Sequence, residues 1–200
     1  MIQNFFQRSD CIRLFLLRHG HDTGSLIGDP KRELTDNGVR QATCSAELLS
    51  AFQFDLFFAS DLLRTHQTAK IIGEKQRSKL QLTSSLREIR PFYLMGNPEM
   101  TDKQGKPIQN FLAKIAQVKQ GAMILAVSHC HLIRYILTLT NCTDNKKFRT
   151  VQEMHDMGLF ERQGCTIDMS HCALSMIEID SKGRLEPKFI NYHKHTAISP

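Results

Sequence analysis

Three times along 200 residues an apolar run of strand length ends in a short polar stretch and gives way to helical periodicity. Ile12 to Leu17 leads into Arg18-His19-Gly20, Asp55 to Ala59 into Ser60-Asp61, and Ala122 to Val127 into Ser128-His129. A strand covered on both faces reads as a nearly continuous apolar run, and strands alternating with helices build a parallel sheet between helical layers. The intervening helices are expected from residues recurring three or four apart. Thr35 opens one with Val39, Ala42, Ala46, Leu49 and Phe52 on its inner face. Ser60 or Asp61 caps a second with Leu62, Thr65, Ala69 and Ile72 inward, and His131 to Leu139 forms a third. Ala173 to Ile179 and Leu185 to Ile190 flank the polar turn Asp180-Ser181-Lys182-Gly183, which predicts an antiparallel edge.

Composition narrows the function classes. With 41% hydrophobic and 23% charged residues the chain is neither disordered nor fibrous. A net charge of +6 favours anionic partners, but no Lys/Arg run is interleaved with aromatics and no zinc-finger spacing occurs, so no nucleic-acid partner is expected. The run from Ile12 is broken by Arg13 and stops at Arg18, far short of the roughly 20 residues that span a bilayer, so no membrane partner is expected either. The N-terminal stretch lacks the pattern of a cleaved signal, making a cytoplasmic location the expectation. Six cysteines without a Cys-x-x-Cys pair read as reduced thiols.

In an open α/β sheet ligands bind beyond the carboxyl ends of the strands, where Arg18, His19, Arg64 and His129 all fall. Two guanidiniums and two imidazoles brought together would suit a phosphoryl group, because arginine offers paired planar donors to its oxygens. A histidine held in one tautomer can attack phosphorus and form a phosphohistidine that water cleaves. A rival reading takes the pairs His19/His21, His129/His131 and His193/His195 as metal ligands of a metal-dependent hydrolase, if they lie on strands. The arginine beside His19 and the lack of a clear carboxylate set weigh against it, so neither metal nor cofactor is expected.

Several motifs in order resemble the histidine phosphatase superfamily that includes the cofactor-dependent phosphoglycerate mutases. Leu17-Arg18-His19-Gly20 is similar to its signature, which implies His19 as phosphoryl-accepting nucleophile and Arg18 as phosphate ligand. The run Leu34 to Ala42 is similar to the segment opening the family's first helix, and Ala59 to Ala69 resembles the stretch carrying a second phosphate-binding arginine, here Arg64. Leu86-Arg87-Glu88 matches a Leu-x-Glu proton donor, and Val127-Ser128-His129 brings in a second histidine that contacts phosphate. The resemblance runs from about Ile12 to Ile190. It implies one α/β domain over 1–200, core about 12–190, in three layers: a central, mainly parallel sheet with one antiparallel edge strand, helices on both faces and a short lid segment.

Glu88 needs its own argument, since an ordinary glutamate is ionised at neutral pH and a leaving alkoxide must be protonated. Burial near an incoming phosphate dianion is expected to raise its pKa; read without the family it would be a surface carboxylate paired with Arg87 or Arg90. The chain departs from the family pattern at His21-Asp22-Thr23-Gly24-Ser25 and at Cys130, where Gly is common. His21, Ser25, Cys130, His171 and Cys172 are therefore possible pocket neighbours, as are Asn191 and His195.

Only 89–128 separates Glu88 from His129, the interval where family members carry segments covering the pocket, and in mutases it is much longer. A mutase must shield its phosphohistidine from water, and the Trp-Asn of mutases cannot be present in a chain without Trp. The expected function is therefore hydrolysis of phosphate monoesters, with a phosphorylated small molecule or a phosphoprotein as substrate. The alternatives are mutase-type phosphoryl transfer and a catalytically silent phosphate-binding module.

Overall fold

The computed structural model describes residues 10–24, 29–89, 98–140 and 169–196. In chain order the elements are β1 (Ile12–Arg18), α1 (Asp36–Ser50), β2 (Leu56–Ser60), α2 (Leu63–Gly73), β3 (Leu80–Thr83), α3 (Pro98–Ile115), β4 (Met123–Ser128), α4 (Cys130–Leu139), β5 (Leu174–Ile179) and β6 (Leu185–Tyr192). The six strands form one sheet in the order β3-β2-β4-β1-β5-β6. The first four of these run parallel. β5 runs against both its neighbours, one place in from the β6 edge.

Alternation along the strands divides the core in two. Leu14 and Leu16 of β1 face α3 and α4, packing with Ile108, Leu112, Ile133 and Ile136. Phe15 and Leu17 face α1 and α2, packing with Ala46, Leu49, Ala69 and Ile72. A strand buried on both sides has no polar face to display, which explains the unbroken apolar run from Leu14 to Leu17. Part of the stretch expected as a lid is α3, whose Ile108, Phe111, Leu112 and Ile115 belong to the core; 90–97 lie outside the described residues.

Two helix expectations need correction. The inner face of α1 is Gly38, Ala42, Ser45, Ala46 and Leu49, whereas Val39 is exposed. Gly38 must face inward because a Cβ there would come within 2.0 Å of the His21 carbonyl oxygen, and this close approach turns Val39 outward. The N-cap of α2 is Leu62 with no side-chain capping bond, not Ser60 or Asp61. Ser60 Oγ is instead bonded to His129, and Asp61 forms a bidentate pair with Arg87 at 2.6 and 2.7 Å. Among the described residues no helix is long and apolar enough to cross a membrane.

Candidate active site

The carboxyl ends of β1, β2 and β4, with the start of β5, meet at one edge of the sheet. β1 delivers His19, whose backbone N–H donates to the Ser128 carbonyl at 3.0 Å and whose carbonyl accepts from Cys172 N–H at 3.2 Å. The peptide is thus pinned between the ends of β4 and β5. Gly20 N–H donates to Thr68 Oγ1 at 3.1 Å, which ties the same turn to α2.

The His19 ring is buried and its Nδ1 lies 2.8 Å from the Gly20 carbonyl oxygen. A carbonyl only accepts, so Nδ1 carries the proton and Nε2 presents its lone pair. Burial first, then electrostatic coupling to His129 and the charges of Arg18 and Arg64, push the His19 pKa well below its ordinary value, outweighing the Gly20 bond. The ring is therefore neutral at physiological pH. Arg64 Nε donates to His19 Nε2 at 3.3 Å, placing a guanidinium where a phosphoryl group would meet that lone pair. Burial lowers Arg64 as well, but from 12.5, so it remains charged.

The His129 ring lies 5.2 Å from the His19 ring. Its Nε2 shares a 3.0 Å hydrogen bond with Ser60 Oγ, while Nδ1 is buried without a hydrogen-bond partner. Burial pushes its pKa down to about 3, so this imidazole is also neutral. Arg18 approaches from the other side, donating to the Met169 carbonyl and lying 2.9 Å by Nη2 from His171 Nε2. The His171 ring is 5.6 Å from His19 and 5.1 Å from His21. His21 sits exposed on the rim, bonded by Nδ1 to Thr35 Oγ1 at 2.9 Å.

Glu88 lies beside this cluster in a way the sequence did not foretell. Its Oε1 accepts backbone N–H groups from Ile89, His131 and Leu132 at 3.1, 3.1 and 3.2 Å, and its Oε2 is 3.4 Å from His131 Nδ1. Burial pushes the carboxyl up, but the His131 hydrogen bond, the neighbouring histidine charges and the Leu132 N–H together bring it below the ordinary value. With His129 neutral, the His131 contact carries most of that lowering. The carboxyl is therefore lowered rather than raised; of the two partners named for a surface carboxylate, Arg87 is engaged by Asp61 and Arg90 lies outside the described residues.

The remaining candidates divide. His171 packs against both His19 and His21, and Ser25 lies outside the described residues. Cys130 is buried against the α3/α4 core, and burial raises its thiol pKa. Cys172 touches the site through its backbone, whereas its thiol, raised to about 12 by burial, bonds to Ser45 of α1. Asn191 Oδ1 accepts from Ser170 N–H at 3.0 Å, and His195 Nε2 bonds Ser45 Oγ at 3.0 Å, so His195 fastens the chain end to α1.

Asp22 was missed as a site residue. It is buried, its Oδ2 is 3.3 Å from Arg64 Nε and 3.7 Å from His19 Nδ1, and its Oδ1 pairs with Arg32. Arg32 lies against Gly24, where any Cβ would collide with its guanidinium. A carboxylate three residues past His19 was the available signal. Among the described residues no group of three or more His, Cys, Asp or Glu side chains is arranged to hold a metal ion. His131 lies in a helix rather than a strand and turns to Glu88, so it does not share a face with His129.

Fold and site together define an α/β protein whose strand ends gather arginines around buried, neutral histidines. Residues 14–107 match the family model of the histidine phosphatase superfamily (branch 1). An Arabidopsis thaliana protein named "Probable 2-carboxy-D-arabinitol-1-phosphatase" is 33% identical over 110 residues, 52% of this chain and 22% of its own length. A glucosyl-3-phosphoglycerate phosphatase of Mycobacterium tuberculosis is 38% identical over 80 residues, 38% of this chain and 36% of its own. The chain thus spans well under half the length of these curated relatives. A phosphoglycerate mutase structure from Bacillus anthracis shares the fold, with TM-score 0.70 and 17% identity over 95% of this chain and 97% of that one. Over residues 14–107, 94 of its 200, the chain is similar to the histidine phosphatase superfamily.

Proposed function

We propose that this protein is a phosphatase that hydrolyses phosphate monoesters through a covalent phosphohistidine on His19. The observation that carries the reading is the state of that ring: neutral, with its Nδ1–H donated to the Gly20 carbonyl and its Nε2 lone pair facing Arg64 at 3.3 Å. Nε2 attacks phosphorus as the ester P–O bond breaks, and the leaving oxygen takes a proton from Glu88. Arg18, Arg64 and His129 hold the phosphoryl oxygens, whose charge grows in the transition state. Water then attacks phosphorus, the N–P bond breaks, and inorganic phosphate leaves. No step calls for a metal.

Hydrolysis is favoured over phosphoryl transfer by the short interval 89–128, part of which is the core helix α3 rather than a cover. The named relatives are phosphatases of phosphorylated small molecules, which supports that substrate class, and a phosphoprotein is the second candidate. Buried, protonated thiols suit a reducing compartment, and a cytoplasmic location is part of the reading. The test is phosphate release from p-nitrophenyl phosphate and a panel of phosphorylated metabolites and phosphopeptides, by the unaltered protein and His19→Ala, with and without chelator. Chelator-resistant release that vanishes in the variant is expected. Release that survives in the variant would end the phosphohistidine mechanism, and chelator-sensitive release would restore the metal reading.

A further inference from the structure

The contacts of Glu88 raise a problem for a proton donor. Oε1 is saturated by three backbone N–H groups, two of them from the first turn of α4, where the helix dipole favours a carboxylate. Such a group gives up its proton easily and holds it poorly. A donor needs a proton to give at the moment the leaving oxygen departs. The other oxygen, Oε2, faces His131 Nδ1 at 3.4 Å, and the His131 side chain is 25% exposed where that of Glu88 is 17% exposed. Histidine is the residue type that exchanges protons near neutral pH. The groups facing the carboxylate are His129, Cys130 and His131 at the start of α4, and Arg64 from α2. His129 is neutral and engaged with Ser60, and the Cys130 thiol is held protonated. Neither supplies a mobile proton.

We infer that Glu88 and His131 share one proton through the catalytic cycle, with His131 as its resting place in the free protein. The inference rests on the phosphatase reading above and deepens it. When the substrate dianion enters, its charge favours the neutral acid, and the proton passes from His131 Nδ1 to Glu88 Oε2. As His19 Nε2 bonds to phosphorus, the leaving oxygen takes that proton and departs as an alcohol. In the second half, attacking water loses a proton to Glu88, which returns it to His131 as the N–P bond breaks. The pair ends as it began, and the balance is one ester and one water consumed, one alcohol and one phosphate formed. His131 touches no reacting atom in this scheme and acts through Glu88.

A pH profile tests this, because a purely structural His131 would not move it. In the unaltered protein kcat/KM for an alkyl phosphate should fall on the basic side as the pair loses its proton. In His131→Gln that limb should move to lower pH by about one unit or more, since Glu88 must then hold the proton alone. At pH 7.5 the alkyl ester should lose about tenfold or more, and p-nitrophenyl phosphate markedly less, because its phenolate leaves with little help. A second readout needs no turnover: by NMR, the midpoint of His131 should fall in Glu88→Gln. Unchanged pH limbs and leaving-group dependence in His131→Gln, or an unchanged His131 midpoint in Glu88→Gln, would overturn the shared proton while His19-dependent release left the phosphatase reading standing. Absence of His19-dependent release would overturn both.

Discussion

Asp22 places a carboxylate oxygen 3.3 Å from Arg64 Nε, beside the proposed nucleophile His19. The same carboxylate pairs with Arg32 and lies 3.7 Å from His19 Nδ1. Two arginines so close would repel each other without an anion between them, and Arg32 lowers Arg64 by its charge. Asp22 is thus the internal counter-ion of Arg32 and Arg64.

Asp22→Asn keeps the shape and removes that charge. Its melting temperature in phosphate-free buffer should fall by several degrees, and added inorganic phosphate should raise it more than it raises the unaltered protein, since the ligand then supplies the missing anion. Product inhibition by phosphate should tighten by a fewfold. Equal stabilisation of both proteins by phosphate would show that Asp22 does not face the anion site.

His19→Ala should abolish covalent labelling by a phosphoryl donor and cut turnover by at least about a thousandfold, on the scale of nucleophile deletions elsewhere. Arg64→Ala should cost about 3 kcal/mol of transition-state stabilisation, roughly a hundredfold in rate. Arg64→Lys should recover little, because Nε reaches both His19 and Asp22 and lysine cannot offer that geometry. Circular dichroism of each variant should match the unaltered protein. A lysine variant with full activity would reduce Arg64 to a point charge.

The strand ends were legible because burial leaves a mark on sequence: β1 and β4 are apolar on both faces, so the first polar residues after them had to be at an edge. That placed Arg18, His19, Ser128 and His129. The face of α1 was misread by one position since Gly38 and Ser45, both buried, do not count as apolar in a periodicity. Asp22, a carboxylate three residues past His19, was legible only as a position and not as a partner. Its partners Arg32 and Arg64 are brought to it only by the packing of α2 against the signature turn, and no local pattern encodes that meeting. The shift at Glu88 likewise depends on where α4 begins, one residue after His129.

Stability should depend on pH through the buried imidazoles. His129 is lowered to about 3, His195 to about 4, and His19 well below its ordinary value, all by burial first. In the unfolded chain each would titrate near 6.5. As pH falls below that value the unfolded state takes up protons that the folded state refuses, so stability is fully present above about 6.5 and declines toward the folded values. Melting temperature should therefore drop steadily from pH 6.5 to 5, a window above the range where carboxylates contribute. His129→Gln should flatten part of that slope. A flat profile from pH 7 to 5 would mean that the rings are solvated.

At Gly20 the signature turn meets α1 backbone to backbone, which makes Gly20 a sharp probe of the site. A Cβ on Gly20 would lie 2.5 Å from the Gly38 carbonyl oxygen and 3.0 Å from two further Gly38 backbone atoms, none of which can swing aside. Gly20→Ala must therefore part the turn from α1, moving the carbonyl that fixes the His19 tautomer. Strain of this kind costs on the order of 1–3 kcal/mol, and turnover should fall beyond what the lost stability explains. Gly73→Ala is the control, since its Cβ would make an ordinary 3.5 Å contact with the Phe57 ring near the end of α2, where alanine is the better helix former. Activity measured well below both melting temperatures separates the two effects. If Gly20→Ala kept full turnover there, the tautomer of His19 would not depend on the position of the Gly20 carbonyl.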